Sequence, residues 1–192
     1  TSTLSLGGAA NLTLETGITF PTLNLNNLAL TLGSATSDLT VTNALTIDNA
    51  LEGIVTGAAD LTLSAALTCS DGDITSTAGT ITLGAGGSIA TPCVVDVTGS
   101  TLALTGTLSK NGGTLTTTSS ILSLGGAANL TLETGITFPT VNLSNLVLTL
   151  GSATSDLTVT NALTIDNALE GIVTGAADLT LSGALTCSAG NL

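Results

Sequence analysis

The sequence predicts an all-β protein: a parallel β-helix (β-solenoid) of about 20–24 residues per coil, with a higher-order repeat of 118 residues. Three observations predict it: apolar and polar residues alternate in short segments, turn residues separate the segments, and residues 4–70 return as residues 122–188. The copies differ at only a few positions, among them Leu23/Val141, Asn26/Ser144, Ala29/Val147 and Ala65/Gly183. Such a chain is expected to use one surface twice in register, as a stacking unit does.

Strands are predicted by the period-two alternation of apolar and polar residues. Leu, Ile and Val take one side of each segment, and Thr, Ser, Asn or Ala take the other. Thr suits the pleat because it branches at Cβ. Glycine-rich turns follow the segments, and no sustained apolar pattern at helical spacing occurs. In chain order the strand segments include Leu12–Leu14, Leu28–Leu32, Leu39–Val41, Leu45–Ile47, Leu61–Leu63 and Leu67–Cys69.

Equivalent strands recur at intervals of roughly 20–24 residues, which suits one coil of a parallel β-helix. The series runs through Leu39, Leu61, Ile81, Leu102 and Leu122. At about 4.8 Å per coil, the chain should form about eight or nine coils and a rod roughly 40 Å long, with five or six coils in each period. Residues 1–118 are the first repeat unit, and residues 119–192 are a partial second unit continuous with it. The alternative is an antiparallel β-sandwich, which is disfavoured because sandwiches seldom repeat themselves or lack aromatic residues.

Composition restricts the core and the partners. Hydrophobic residues make up 43% of the chain but aromatic residues only 1%, so aliphatic ladders must fill the core. Lys and Arg total 1 against 13 Asp and Glu, a net charge of −12. Nucleic acid is therefore an unexpected partner, because phosphates are neutralised by basic side chains. No apolar segment has the length that membrane insertion requires, and an opening on Thr1 fits a processed product or an excerpt.

Several segments share a composition of aliphatic residues, Thr and Gly, among them Ile81–Ile89, Leu102–Leu108 and Asp178–Leu185. These segments resemble the repeats of large bacterial surface proteins of the filamentous haemagglutinin and autotransporter-passenger type. The resemblance covers nearly the whole chain, but it is compositional. It implies an extracellular or cell-surface β-helix, right-handed by analogy, and no particular ligand.

The three cysteines allow two interpretations. Cys69 and Cys93 are 24 residues apart, close to one coil, and Cys187 repeats Cys69 in the second copy. Residues one coil apart lie above each other at the Cα separation that a disulfide requires, so a Cys69–Cys93 disulfide could clip adjacent coils in an oxidising compartment. In the other interpretation, all three are small buried residues of an aliphatic ladder, as free cysteines often are.

The sequence indicates no metal, cofactor or catalytic residue. It has no histidine and no closely spaced cysteine pair. Asp71 and Asp73 flank Gly72 like a fragment of a calcium-binding loop. The second copy has Ala189 and Asn191 there, whereas a repeated calcium site would keep its acids. The other acids are expected to be solvated turn residues, and we expect no enzyme.

Two functions are open. In the first, the protein is a structural building block of an extracellular fibre whose partner is itself, through end-to-end stacking or a tandem array. The predicted stacking edges are Leu4, Leu6, Leu181 and Leu185. In the second, it is an adhesin stalk or an ice-binding solenoid with an outward Thr-rich face. That face would comprise Thr40, Thr42, Thr158 and Thr160.

Overall fold

The computed structural model describes residues 2–192 as short β-strands joined by turns, with no helix in that range. Every ladder between these strands is parallel, as expected when each strand lies one coil above its equivalent. The predicted all-β solenoid is therefore confirmed, with about nine coils. Within residues 2–192 no helix is present that could cross a membrane.

The strands are mostly three to five residues long, and four longer ones continue round a corner of the coil. In chain order they are β1 (Thr3–Ser5), β2 (Ala10–Leu12), β3 (Ile18–Phe20), β4 (Thr22–Asn24), β5 (Ala29–Leu32), β6 (Leu39–Val41), β7 (Leu45–Ile47), β8 (Gly53–Gly57), β9 (Leu61–Leu63), β10 (Leu67–Cys69), β11 (Asp73–Ser76), β12 (Thr80–Leu83), β13 (Gly87–Ala90), β14 (Val94–Asp96), β15 (Thr101–Asn111), β16 (Thr114–Thr116), β17 (Ile121–Leu132), β18 (Ile136–Asn142), β19 (Val147–Leu150), β20 (Leu157–Ile165), β21 (Gly171–Val173), β22 (Leu179–Leu181) and β23 (Ala184–Cys187).

Paired strand positions form three stacks along the axis, which we name A, B and C. Stack A comprises Leu45, Leu67, Gly87, Leu108, Leu130 and Leu150. Stack B comprises Leu30, Ile54, Ile74, Val95 and Leu115. Stack C comprises Ile18, Leu39, Leu61, Ile81, Leu102, Leu122, Val141, Leu163 and Leu185. Successive positions in stack C are 19–22 residues apart, slightly fewer than the sequence predicts.

The aliphatic side chains of these stacks point inward and fill the core. Leu61, Ile81 and Leu102 are fully buried (0% exposed), whereas the intervening outward threonines, such as Thr62, are only half-buried. Burying each such aliphatic side chain contributes roughly 1.5–3 kcal/mol. Because the core is one narrow column, most of that burial is provided by the coils directly above and below.

The second copy of the repeat does not lie in the same stacks as the first. Leu45 and Leu67 belong to stack A, but their equivalents Leu163 and Leu185 belong to stack C. The 118-residue period is therefore a third of a coil short of six coils. The expectation of one surface used twice in register is wrong: matching residues lie a third of a turn apart around the axis and about 27 Å apart along it, at about 4.8 Å per coil.

Candidate functional site

The N-terminal end of the solenoid is formed by β1, β2 and β3. Within residues 2–192, each of these strands pairs with another strand on one side only. Of the predicted edge residues, Leu4 is half-buried, and Leu6 packs in the core with 6% of its surface exposed. The other side of each strand carries backbone N–H and C=O groups that face no strand in that range. Such an edge is a template for adding a strand.

The C-terminal end is formed by β22 and β23, both of which pair with β20 alone. The predicted edge residue Leu181 is half-buried, and Leu185 is 43% exposed. Its equivalent in the first copy, Leu67, is only 1% exposed because β13 lies on the next coil above it. The same local sequence is therefore covered by a further coil in one copy and is open in the other.

Aspartates at the corners hydrogen-bond one coil to the next. The Oδ1 atom of Asp38 accepts from the backbone N–H of Asp60 at 2.9 Å, and Oδ1 of Asp60 accepts from the N–H of Thr80 at 2.7 Å. In the second copy Asp156 accepts from the N–H of Asp178 at 2.8 Å. These acids lie at exposed or half-buried turn positions, as the sequence predicts, but their hydrogen bonds between coils were not predicted. Their shared position before a Leu-Thr strand was the available signal.

Two glutamates join separate turns in the same way. The Glu170 side chain is 7% exposed, and its Oε1 and Oε2 accept from the backbone N–H groups of Asn145 and Asp166, both at 2.9 Å. The first-copy equivalent, Glu52, accepts from Asn27 and Asp48. Because Asn145 is 25 residues from Glu170, the carboxylate clamps one coil to its neighbour.

We expect Glu170→Gln to remove part of the pH dependence of stability. The N–H groups of Asn145 and then Asp166 hold the pKa of Glu170 below its usual value, because they stabilise the carboxylate. A depressed folded-state pKa adds stability that is present above the unfolded pKa and is lost as the pH falls through the folded pKa. The variant should therefore melt at a lower temperature than the unmodified protein at neutral pH. The two melting temperatures should converge below pH 4.5.

Thermal melts followed by circular dichroism across this range test the expectation. Glu133→Gln is the matched control, because Glu133 is exposed and the change in charge is the same. Parallel pH curves for the unmodified protein and Glu170→Gln would contradict the assigned role of Glu170.

Cys69 and Cys93 form a disulfide, with their Cα atoms 5.7 Å apart. Both residues are fully buried. The strand position stacked on Cys69 is Ile89, not Cys93. Cys93 lies four residues further on, at the start of the next side of the coil, so the bond runs obliquely between adjacent coils. Cys187, at the equivalent position in the second copy, is exposed and is a free thiol within residues 2–192.

The four threonines of the predicted Thr-rich face do not lie in one row. We call a row of outward residues that stack on one another along the axis a rank. Thr40 and its equivalent Thr158 stand in different ranks because the copies are displaced by one stack. Thr42 follows β6 and Thr160 lies in β20, and both are exposed. The rank that contains Thr40 is Thr19, Thr40, Thr62 and Thr82, and it then continues to Ala103. The rank that contains Thr158 is Thr137, Thr158 and Thr180.

The Asp71–Asp73 turn has a structural reason for its central glycine. Gly72 adopts φ +75°, and a Cβ atom there would collide with the carbonyl oxygen of Glu52. Gly190, in the second copy, adopts φ +85°. The copies therefore keep the glycine while the flanking acids change. Among residues 2–192, no three His, Cys, Asp or Glu side chains are grouped as a metal site would require.

The comparisons with known proteins found no relative of this chain. No protein-family model, curated protein or solved structure matches the chain. The fold therefore rests on the strand pairing itself, and the resemblance to bacterial surface proteins stays a hypothesis.

Proposed function

We propose that this protein is a structural building block of an extracellular fibre, in which β-solenoid coils stack along one axis. The observation that carries the proposal is the parallel strand pairing that continues from the first copy of the repeat into the second, so that one repeat stacks on the other along one axis. The expected partner is another set of β-solenoid coils, either from a second copy of this chain or from a neighbouring repeat in a tandem array.

The covered copy of the C-terminal surface supports stacking. In the first copy, β13 pairs in parallel with β10. The coil that contains β13 covers Leu67, which is therefore only 1% exposed. A coil placed on β22 and β23 would make the same kind of backbone ladder. It would also bury Leu181 and Leu185, each contributing up to roughly 1.5–3 kcal/mol.

Chemistry of the chain supports a passive role outside the cell. The corner acids are hydrogen-bonded to backbone groups of neighbouring coils, so they serve the stack rather than a reaction. A buried disulfide suits an oxidising compartment. The net charge of −12 keeps a strand-rich rod in solution. The resemblance to filamentous haemagglutinin and autotransporter passengers agrees with this proposal.

Electron microscopy of the protein, with denaturing gels of the same sample, tests the proposal. Filaments that dissolve to a chain near 18.5 kDa would indicate assembly of separate copies. Filaments that persist as one very large chain would indicate a tandem array. Compact single particles at all concentrations would contradict the fibre.

We expect Leu185→Asp to abolish end-to-end assembly of this chain while leaving the rod folded. Leu185 lies at the open C-terminal edge and is 43% exposed, so the monomer tolerates the charge, but a stacked coil would bury it unpaired. Leu51→Asp is the matched control, because Leu51 is 68% exposed in a side turn. Filament lengths by electron microscopy and monomer melts provide the readouts. Equal loss of filaments in both variants would contradict stacking through this edge.

A second candidate is an adhesin stalk or ice-binding solenoid. The observation that favours it is the unbroken rank of outward threonines Thr19, Thr40, Thr62 and Thr82. Against it, the rotation between copies divides the threonines among several sides of the rod. Ice shaping or adhesion by single rods that form no filaments would favour this candidate over the fibre.

A further inference from the structure

Two open depressions in the surface occupy the same repeat positions in the two copies. The first, of about 280 Å³, is lined by Thr22, Asn24, Ala44, Thr46 and Asp48, among others. The second, of about 320 Å³, is lined by the equivalent residues Thr140, Asn142, Ala162, Thr164 and Asp166, among others. The same feature therefore forms twice, a third of a turn apart on the rod.

A small outward residue explains each depression. In the second copy, Ala162 pairs with Thr140, and the neighbouring pair is Asn142 with Thr164. The methyl group of Ala162 leaves space between larger polar side chains on two adjacent coils. The repeat preserves this arrangement, because Ala44 occupies the same position in the first copy.

Each depression contains an aspartate carboxylate that no protein group uses. Glu52 also lines the first depression, but its two carboxylate oxygens accept the backbone N–H groups of Asn27 and Asp48. Within residues 2–192, the Asp48 and Asp166 carboxylates accept no hydrogen bond, in contrast to Asp38, Asp60 and Asp156. The hydroxyl groups of Thr46 and Thr164 are likewise without a protein partner in that range. The chain carries a net charge of −12, and Lys110 is its only basic side chain. The surroundings therefore favour a cation.

The turns that carry these aspartates also expose a leucine. Leu51 follows Asp48 and is 68% exposed, and Leu169 follows Asp166 and is 67% exposed. These leucines belong to the same turns as the aspartates but do not line the depressions. The carboxylate and the hydroxyl group that do line each depression match the ammonium group of a lysine side chain, which donates hydrogen bonds. A calcium ion would need more oxygen ligands than the one carboxylate in each depression that accepts no hydrogen bond provides.

We propose that each depression binds the ammonium group of a lysine side chain from a basic partner segment. Asp48 in the first copy and Asp166 in the second supply the counter-charge, and Thr46 and Thr164 accept a further hydrogen bond. The two sites are about 27 Å apart along the axis and a third of a turn apart around it. One flat partner cannot cover both, so each site binds independently, and this proposal does not depend on fibre formation.

Titration calorimetry with a short oligolysine peptide tests the proposal, with the fully lysine-acetylated peptide as the uncharged probe. We expect two equivalent sites per chain in the unmodified protein and no binding of the acetylated peptide. Asp48→Asn should lower the affinity at its own site at least about tenfold, leaving one site, and the double variant with Asp166→Asn should leave none.

Asp73→Asn is the matched control, because Asp73 is exposed, lies outside both depressions, and loses the same charge. It should keep both sites. Equal weakening by Asp73→Asn and Asp48→Asn would mean diffuse attraction to an acidic surface and would overturn the proposal. Absence of binding, or equal binding of the acetylated peptide, would also overturn it. Unchanged thermal melts would show that the variants are folded.

Discussion

Replacement of Phe138 by Ala is expected to lower the free energy of unfolding by about 3–5 kcal/mol. Phe138 is fully buried, and its strand position lies between coils, paired with Val159 above. In a core built almost entirely of Leu, Ile, Val and Ala, no nearby side chain is long enough to fill the space that the ring leaves. The loss should therefore include a cavity term as well as the lost burial.

Phe20 is the matched control for this prediction, because it occupies the same position in the first copy. It is only half-buried, since β3 is an end strand of the stack. We expect Phe20→Ala to cost less than half as much as Phe138→Ala when both are measured by chemical denaturation. Equal losses would show that burial in the coil does not decide the contribution of the ring.

Period-two alternation was sufficient to predict the strands and the direction of their side chains. Leu39, Leu61 and Ile81 were placed in one series from spacing alone, and the structure stacks them directly above one another. This succeeded because a stacked parallel strand has no freedom to slip by one residue: such a slip would turn its leucines outward. The alternation within each strand is therefore sufficient to predict how that strand aligns with its neighbours on adjacent coils.

The rotation between the two copies could not be predicted from the sequence. The sequence gives the length of the repeat as 118 residues. The orientation of the second copy around the axis depends instead on how many coils those residues form. The coils differ in length: Leu122 to Val141 spans 19 residues, and Leu39 to Leu61 spans 22. These differences arise in turns, where no apolar pattern marks position. Only the strand register shows that the period ends a third of a coil early.

The corner acids were missed for a different reason. The aspartates that accept a backbone N–H from the next coil precede Leu-Thr, as Asp38 does, whereas Asp48 precedes Asn-Ala. That difference marks a position in the repeat, but by itself it does not say which backbone group the next coil places opposite the side chain. The Asp48 carboxylate accepts no hydrogen bond within residues 2–192, whereas the Asp38 carboxylate accepts one from the backbone N–H of Asp60. The distinction depends on what the next coil places opposite the side chain, and that depends on turn length.

Loss of the Cys69–Cys93 disulfide is expected to lower the free energy of unfolding by about 2–4 kcal/mol. The bond closes a loop across 24 residues, so it removes conformations from the unfolded chain. Both cysteines are fully buried, and the Cys69→Ala/Cys93→Ala variant keeps an apolar residue at each position. Reduction with dithiothreitol should lower the stability of the unmodified protein by a similar amount and leave the variant unchanged.

Cys187 is the control that distinguishes loss of the disulfide from loss of a cysteine side chain. It has the same local sequence as Cys69, but it is exposed and unbonded in the described part of the chain, so Cys187→Ala should leave stability unchanged. Thiol counting completes the test: denatured, unreduced protein should react at Cys187 alone. Reaction at all three cysteines before reduction would contradict the disulfide. The cross-coil bond would then contribute nothing to stability, and the cost of the double alanine variant would be one of packing alone.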